Sequence, residues 1–139
     1  MVTTSRIVIV DDHALFRNAL REFLSQEPDF QIVGEASNMR EAIRAIGIFS
    51  PHLVLTDLTM PDTHGIEAVT EIKRHFPDVK IVVISLHREH EFRLWCRKAG
   101  AADYIVKDAI HDELRDSIRA VLAGKTYLVG DALDDMVLD

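Results

Sequence analysis

Apolar residues fall along this chain in two alternating patterns. Short runs rich in β-branched residues recur at positions 6–11, 30–36, 53–57, 80–85 and 103–106, and they predict five strands. Between them, apolar residues return at helical spacing, as in Leu15, Ala19, Leu20, Phe23 and Leu24, or Ile66, Val69, Ile72 and Phe76. Three more helices are expected over 38–48, 89–99 and 111–123, with His111 or Asp112 near the start of the last and Gly100 and Gly124 as C-terminal stops.

Strands alternating with helices imply right-handed crossovers and a parallel sheet covered on both faces, which suits strands that read as nearly continuous apolar runs. The expected class is α/β, a doubly wound flavodoxin-like (βα)5 fold with strand order 2-1-3-4-5. That order sets the first and third strands side by side at the switch point, where ligands bind beyond the strands' carboxyl ends. The repeating unit fills residues 1–124. Residues 125–139 read as an acidic tail or the start of a linker, with Asp131, Asp134, Asp135 and Asp139 unrelieved by base and Leu133, Met136 and Val137 spaced for one weak helical turn.

A length of 139 residues suffices for one hydrophobic core, and the hydrophobic share of 47% and charged share of 28% are those of a soluble globular domain. The net charge of -7 would repel a polyphosphate backbone, so this chain by itself is not expected to bind nucleic acid. The lone cysteine, Cys96, excludes an internal disulfide framework and reads as a packing thiol. No apolar run reaches membrane-span length and no secretory start is evident, so a cytoplasmic location is expected.

The first predicted strand ends in Asp11-Asp12 and the third in Asp57, so the strand order brings three carboxylates to one edge of the sheet. Like charges at close range demand a counter-ion, and hard oxygen ligands at a wet rim suit Mg²⁺. A single acid would more simply cap the next helix, as Asp12 would do near His13; three converging acids favour a site. Ser85 ends the fourth strand and Lys107 follows the fifth. Alone, Ser85 is a turn residue and Lys107 a surface partner of Asp108. Together with the acids they suit phosphoryl transfer, in which a carboxylate serves as nucleophile and the rest is positioning and charge neutralisation.

Asp11-Asp12, Asp57, Ser85 and Lys107, with Met60-Pro61 and Gly65 after Asp57, resemble the full signature of the receiver domains of bacterial two-component response regulators, over residues 7–123. The run Val10-Asp11-Asp12-His13-Ala14-Leu15-Phe16-Arg17 is similar to that of the subgroup carrying a C-terminal helix-turn-helix of the NarL and LuxR type. So are Lys107-Asp108, where most receivers have Lys-Pro, and Ala123-Gly124-Lys125-Thr126-Tyr127-Leu128. With Asp108 in place of proline, the sequence leaves the preceding peptide open between trans and a cis form costing about 3–4 kcal/mol.

The resemblance implies that Asp57 accepts a phosphoryl group from a sensor histidine kinase. It implies that Asp12, Asp57 and the backbone carbonyl of Thr59 hold Mg²⁺ (or Mn²⁺), Asp11 acting through water, and that Lys107 pairs with Asp57 or its phosphate. Ser85 would bond a phosphoryl oxygen on activation, and Tyr104 would turn from an outward to an inward rotamer. Thr59 and His87 would set the phosphate's lifetime. Self-phosphorylation and autodephosphorylation are implied, rather than turnover of small metabolites. The face around the fourth helix, fifth strand and fifth helix, or that of the first and fifth helices, would carry a phosphorylation-dependent homodimer. DNA would be reached only through a domain absent from this chain, which is then the receiver part of a transcription factor or a stand-alone single-domain regulator. Other classes fit less well. Asp57-Leu58-Thr59 lacks the second acid of an Asp-x-Asp phosphatase, no glycine-rich phosphate cradle follows the first strand, and the acids, hydroxyl and lysine of a degenerate receiver would not all be intact.

Overall fold

The computed structural model describes residues 3–125. The acidic tail expected beyond Lys125, with its turn through Leu133, Met136 and Val137, lies outside the described residues. Five strands, β1 (Ser5–Val10), β2 (Phe30–Ala36), β3 (Leu53–Thr56), β4 (Lys80–Ser85) and β5 (Asp103–Val106), alternate with five helices, α1 (Ala14–Ser25), α2 (Met39–Phe49), α3 (Glu67–His75), α4 (His90–Ala99) and α5 (Arg115–Leu122). The sheet is parallel with order β2-β1-β3-β4-β5, the flavodoxin-like order expected.

Alternation along each strand builds two cores. Val8, Val10, Val54, Ile81, Val83 and Tyr104 face α2, α3 and α4, where Ala42, Ile46, Ala68, Ile72 and Cys96 meet them. Ile7, Ile9, Leu53, Leu55, Val82, Ile84 and Ile105 face α1 and α5, against Leu20, Leu24, Ile118 and Val121. Both faces are therefore dry, which is why the strands carry so few polar residues. Each fully buried Leu, Ile or Val contributes about 1.5–3 kcal/mol, and truncating Ile72 or Leu24 to alanine would cost about 2–5 kcal/mol.

Helix ends follow local chemistry. The Asn38 side chain accepts the Glu41 N–H at 2.8 Å, while the Glu41 carboxylate accepts the Ser37 N–H at 2.9 Å, a reciprocal cap that starts α2. Gly100 closes α4 with φ 114°, a left-handed turn favouring glycine, as its position in the sequence predicts. The last helix departs from expectation. A 3-10 turn (Lys107–Ala109) and a wide π turn (Ile110–Leu114) precede α5, so helical backbone begins directly at Lys107 and neither His111 nor Asp112 caps it. His111 instead sets its ring edgewise on Phe23, 4.8 Å between centroids. The Lys107-Asp108 peptide is trans, since no described peptide bond is cis.

Register carries this architecture to the site. Val10 pairs with Thr56, so Asp11 and Asp57 leave the sheet side by side, and the Asp57 N–H donates to the Val10 carbonyl at 3.0 Å. Ser85 pairs with Val106, which delivers Lys107 to the same edge.

Candidate functional site

Asp11, 2% exposed, is held at every polar atom that the turn leaves it. One carboxylate oxygen accepts the His13 N–H at 2.8 Å, the other accepts the Lys107 ammonium at 3.1 Å, and its carbonyl accepts an Arg17 N–H at 2.5 Å. Arg17 is itself anchored by Glu35 at 3.2 Å, and Glu35 also pairs with Arg21. Asp57, 7% exposed, receives the same Lys107 ammonium at 3.1 Å on one oxygen and the Leu58 and Thr59 N–H groups on the other, at 2.6 and 3.4 Å. The Lys107 nitrogen also sits 4.2 Å from the centroid of the Phe16 ring, whose face attracts a cation. One ammonium therefore serves two buried carboxylates, with Asp12 close by.

This charge count is unbalanced. Burial pushes the Asp57 carboxyl above the ordinary carboxylate range; Lys107 opposes that shift and the neighbouring Asp11 adds to it. For Lys107, burial works to lower the value, yet the Asp57 and Asp11 carboxylates prevail and hold it above the ordinary lysine range. The pocket wants positive charge, and its own lysine does not fully supply it.

Asp11, Asp12, His13 and Asp57 each offer a ligand atom, all within 4.8 Å of one another, the one such group among the described residues. Carboxylate oxygens at the water-accessible end of a sheet are donors that fit Mg²⁺, which keeps several waters and takes one or two carboxylates. Asp12, with its side chain 29% exposed, offers the wet edge that such a hydrated ion requires. Thr59 is exposed and touches Asp57 through its N–H.

Ser85, His87 and Tyr104 form a second group beside the acids, linked to one another. The Ser85 hydroxyl accepts the His87 N–H at 3.1 Å, and the Tyr104 hydroxyl donates to the His87 carbonyl at 2.8 Å. Tyr104 is inward and 1% exposed rather than half-buried with a wet hydroxyl. Burial pushes its phenol up to about 12, with the Ser85 hydroxyl acting in the opposite direction. The His87 ring stacks on Phe92 at 4.3 Å, and Phe92 meets the half-exposed Trp95 at 5.4 Å, so a chain of rings runs from the β4–α4 loop to the tryptophan. Cys96, fully buried nearby, has its thiol pushed up to about 12 by burial, consistent with a packing role.

Two of the simpler alternatives raised by the sequence do not hold. Asp12 caps nothing: the N-cap of α1 is His13, without a side-chain cap bond, and His13 directs its ring nitrogen at Asp12 and Asp11, 3.0 and 3.2 Å away. Asp108 pairs with Arg88 rather than with Lys107. The structure adds residues that pattern reasoning did not reach. Phe16 and Arg17, three and four places beyond His13 and one turn along α1, reach back to the site because helical spacing returns them to that face. Asp62, in the loop after Asp57, accepts the Met39 and Arg40 N–H groups at 2.7 and 3.1 Å, tying that loop to the start of α2. An acid two residues past Met60 carries no sequence signal for so distant a cap.

Comparison with known proteins agrees with this geometry. The response regulator receiver domain model matches residues 7–119. The chain is 32% identical over 123 residues to the transcriptional regulatory protein DegU of Brevibacillus brevis, covering 88% of this chain and 52% of that protein. It is 35% identical over 132 residues to the response regulator UvrY of Escherichia coli K12, covering 95% and 61% respectively. The chain thus spans between about half and three fifths of these curated relatives. Among solved structures, a LuxR-family two-component response regulator from Aurantimonas sp. SI85-9A1 superposes with a TM-score of 0.86 and 34% identity, over 93% of this chain and 92% of that one. With its strand order, its acidic pocket and a match across residues 7–119, this chain belongs to the family of response regulator receiver domains, and its relatives include regulators of the LuxR and NarL kind.

Proposed function

We propose that this receiver is a phosphorylation-dependent signalling switch in which Asp57 is the phosphoacceptor. The observation that carries the reading is the shared Lys107, which bridges Asp57 to Asp11 at 3.1 Å on each side and leaves the acids short of positive charge. A sensor histidine kinase is the donor that a receiver domain implies. In the transfer, an Asp57 oxygen bonds to phosphorus as the nitrogen–phosphorus bond of the kinase's phosphohistidine breaks, the electron pair leaving on the imidazole. Asp12, Asp57 and the Thr59 carbonyl, with Asp11 through water, would hold Mg²⁺, which would supply neutralisation of the phosphoryl oxygens. Lys107 then exchanges its contact with the Asp57 carboxylate for one with the phosphoryl group.

Ser85 is the hydroxyl placed to follow the new phosphoryl oxygen. Because the His87 N–H rests on Ser85 and the Tyr104 hydroxyl on the His87 carbonyl, these three residues would move as a unit. Tyr104 already occupies the inward rotamer expected of the activated state, and the switch is the occupancy of that rotamer. Thr59 and His87 flank the path of attacking water and set the lifetime of the phosphate. The output is a change in self-association through the face of α4, β5 and α5 or that of α1 and α5. Because the relatives include a transcriptional regulatory protein of which this chain spans about half, we read the chain as the receiver part of a DNA-binding regulator.

Incubation with acetyl phosphate or beryllofluoride and Mg²⁺ tests the reading. Intact mass should record one phosphoryl group on the native chain from acetyl phosphate and none on Asp57→Asn. Trp95 emission should change with either reagent through the ring chain from His87, and sedimentation should reveal a larger species. A native, folded chain that ignores both reagents refutes the proposal.

A further inference from the structure

His13 occupies the N-cap of α1, a position where a side-chain oxygen normally accepts a helix N–H, yet its side chain makes no such bond. Its placement is fixed instead by its own N–H, which donates to the Asp11 carboxylate at 2.8 Å and turns the residue back over the acids. The imidazole Nδ1 consequently lies 3.0 Å from an Asp12 oxygen and 3.2 Å from an Asp11 oxygen.

Those separations have a second meaning. Nitrogen and oxygen ligands bound at about 2.1 Å on neighbouring vertices of an octahedral ion lie about 3.0 Å apart, the spacing seen here. The ligand atoms of Asp12, His13 and Asp57 lie within 4.8 Å of one another and of an Asp11 oxygen, near enough to meet one ion while Asp11 acts through water. The His13 side chain is 69% exposed, so it meets the pocket from the solvent side, where a hydrated ion enters.

We propose that His13 is a direct ligand of the divalent cation in this pocket, so that the site prefers a first-row transition ion over Mg²⁺. The inference rests on the receiver reading and deepens it, since it concerns which ion the acids hold. Imidazole is a borderline donor that adds little for a hard ion that dehydrates reluctantly and much for ions further along the series of increasing nitrogen affinity. Carboxylates from Asp12 and Asp57 alone would bind both classes; the added nitrogen makes the difference between them.

Calorimetric titration of the untagged native chain with Mg²⁺ and with Co²⁺ tests this, alongside His13→Ala and His13→Gln. Both variants should lose tenfold or more in Co²⁺ affinity while Mg²⁺ affinity moves by less than threefold. With Mn²⁺ bound, the electron spin-echo of the native chain should carry modulation from a directly coordinated nitrogen, and that of His13→Ala should not. Equal losses for both ions, no loss for Co²⁺, or absence of nitrogen modulation in the native chain would overturn the inference. If Mg²⁺ binds and Asp57 takes a phosphoryl group while the nitrogen signal is missing, only the role of His13 fails. If no ion binds and Asp57 stays unmodified, the receiver reading fails with it.

Discussion

At one edge of the sheet Asp11, Asp12 and Asp57 gather around a single ammonium, Lys107; near the opposite edge Glu27 and Asp29 share two guanidiniums, those of Arg115 and Arg119. Both clusters set cations over aromatic rings: Lys107 over Phe16, Arg115 over Phe23 at 4.8 Å and Arg119 over Phe30 at 4.8 Å. They differ in balance and in access to water. Bonds from Arg119 hold both Glu27 and Asp29 below the ordinary carboxylate range, whereas burial raises Asp57. The balanced cluster joins the α1–β2 turn to α5 and asks for nothing further. The unbalanced one is kept folded by the two cores beneath it, and its unmet negative charge is what the proposed cation would neutralise. Similar residue types thus serve as a fastener at one end and a receptor at the other.

Removing the lysine tests this contrast most severely. Lys107→Ala leaves two buried carboxylates facing each other and should destabilise the metal-free chain by about 3 kcal/mol, the lower end of the cost of breaking a buried pair because the pocket opens to water. The loss should be partly restored by Mg²⁺, which replaces the missing charge, and a divalent ion at 100 times its Kd stabilises by about 2.7 kcal/mol. Denaturant titration with and without Mg²⁺ measures both. A loss indifferent to Mg²⁺ would mean that Lys107 acts by packing on Phe16 rather than by neutralising the acids.

Removing an acid should act in the opposite direction. Asp57→Asn relieves one buried charge and its repulsion with Asp11, and at pH 7 it should raise stability by about 1 kcal/mol, a few degrees in Tm. The sign follows from linkage. An ordinary aspartate ionises at 3.8 and Asp57 lies above that in the fold, so the folded state holds this proton more tightly than the unfolded chain does. Its destabilising effect is absent below 3.8 and complete above the folded value. Thermal melts of the two proteins should therefore converge as pH falls toward 3.8. A constant difference across that range would remove the electrostatic explanation.

The strand order was legible in the sequence because both faces of the sheet are buried, so every strand had to read as an apolar run and every helix as a stripe. The site was legible for the same reason: in a parallel sheet of known order, residues just past the strands' carboxyl ends must meet. Asp11, Asp12, Asp57 and Lys107 sit at that offset, and Ser85 is the last residue of β4. What escaped depends on side-chain direction and loop path. His13 looked like a helix start, Arg17 entered only as part of the run that resembles the subgroup, and Asp62 drew no reading. Each acts through a bond to backbone or carboxylate that periodicity does not encode. The early helical turns at Lys107 were missed because they start from Val106 with no side-chain cap, and the π turn shifts the phase of the following stripe.

The smallest effect belongs to the balanced cluster. Arg119→Ala removes bonds of 2.5 Å to Glu27 and 2.9 Å to Asp29 and the cation over Phe30, all at an exposed position where water and salt compete. Tm should fall by no more than a few degrees at low ionic strength and by less in high salt, because a Debye length of about 3 Å at 1 M screens such pairs. The pH dependence runs opposite to that of Asp57. Ordinary values for Glu27 and Asp29 are 4.5 and 3.8, and both lie lower in the fold, so their contribution is whole above those values and is lost as pH falls through the folded ones. The native chain and Arg119→Ala should differ at pH 7 and converge only in stronger acid than the pair that differs at Asp57. Phosphoryl acceptance by Arg119→Ala should be unchanged, since this cluster lies at the far end of the sheet. A variant that instead lost acceptance while remaining folded would mean that the two clusters are coupled through α5, and that the fastener is part of the receptor.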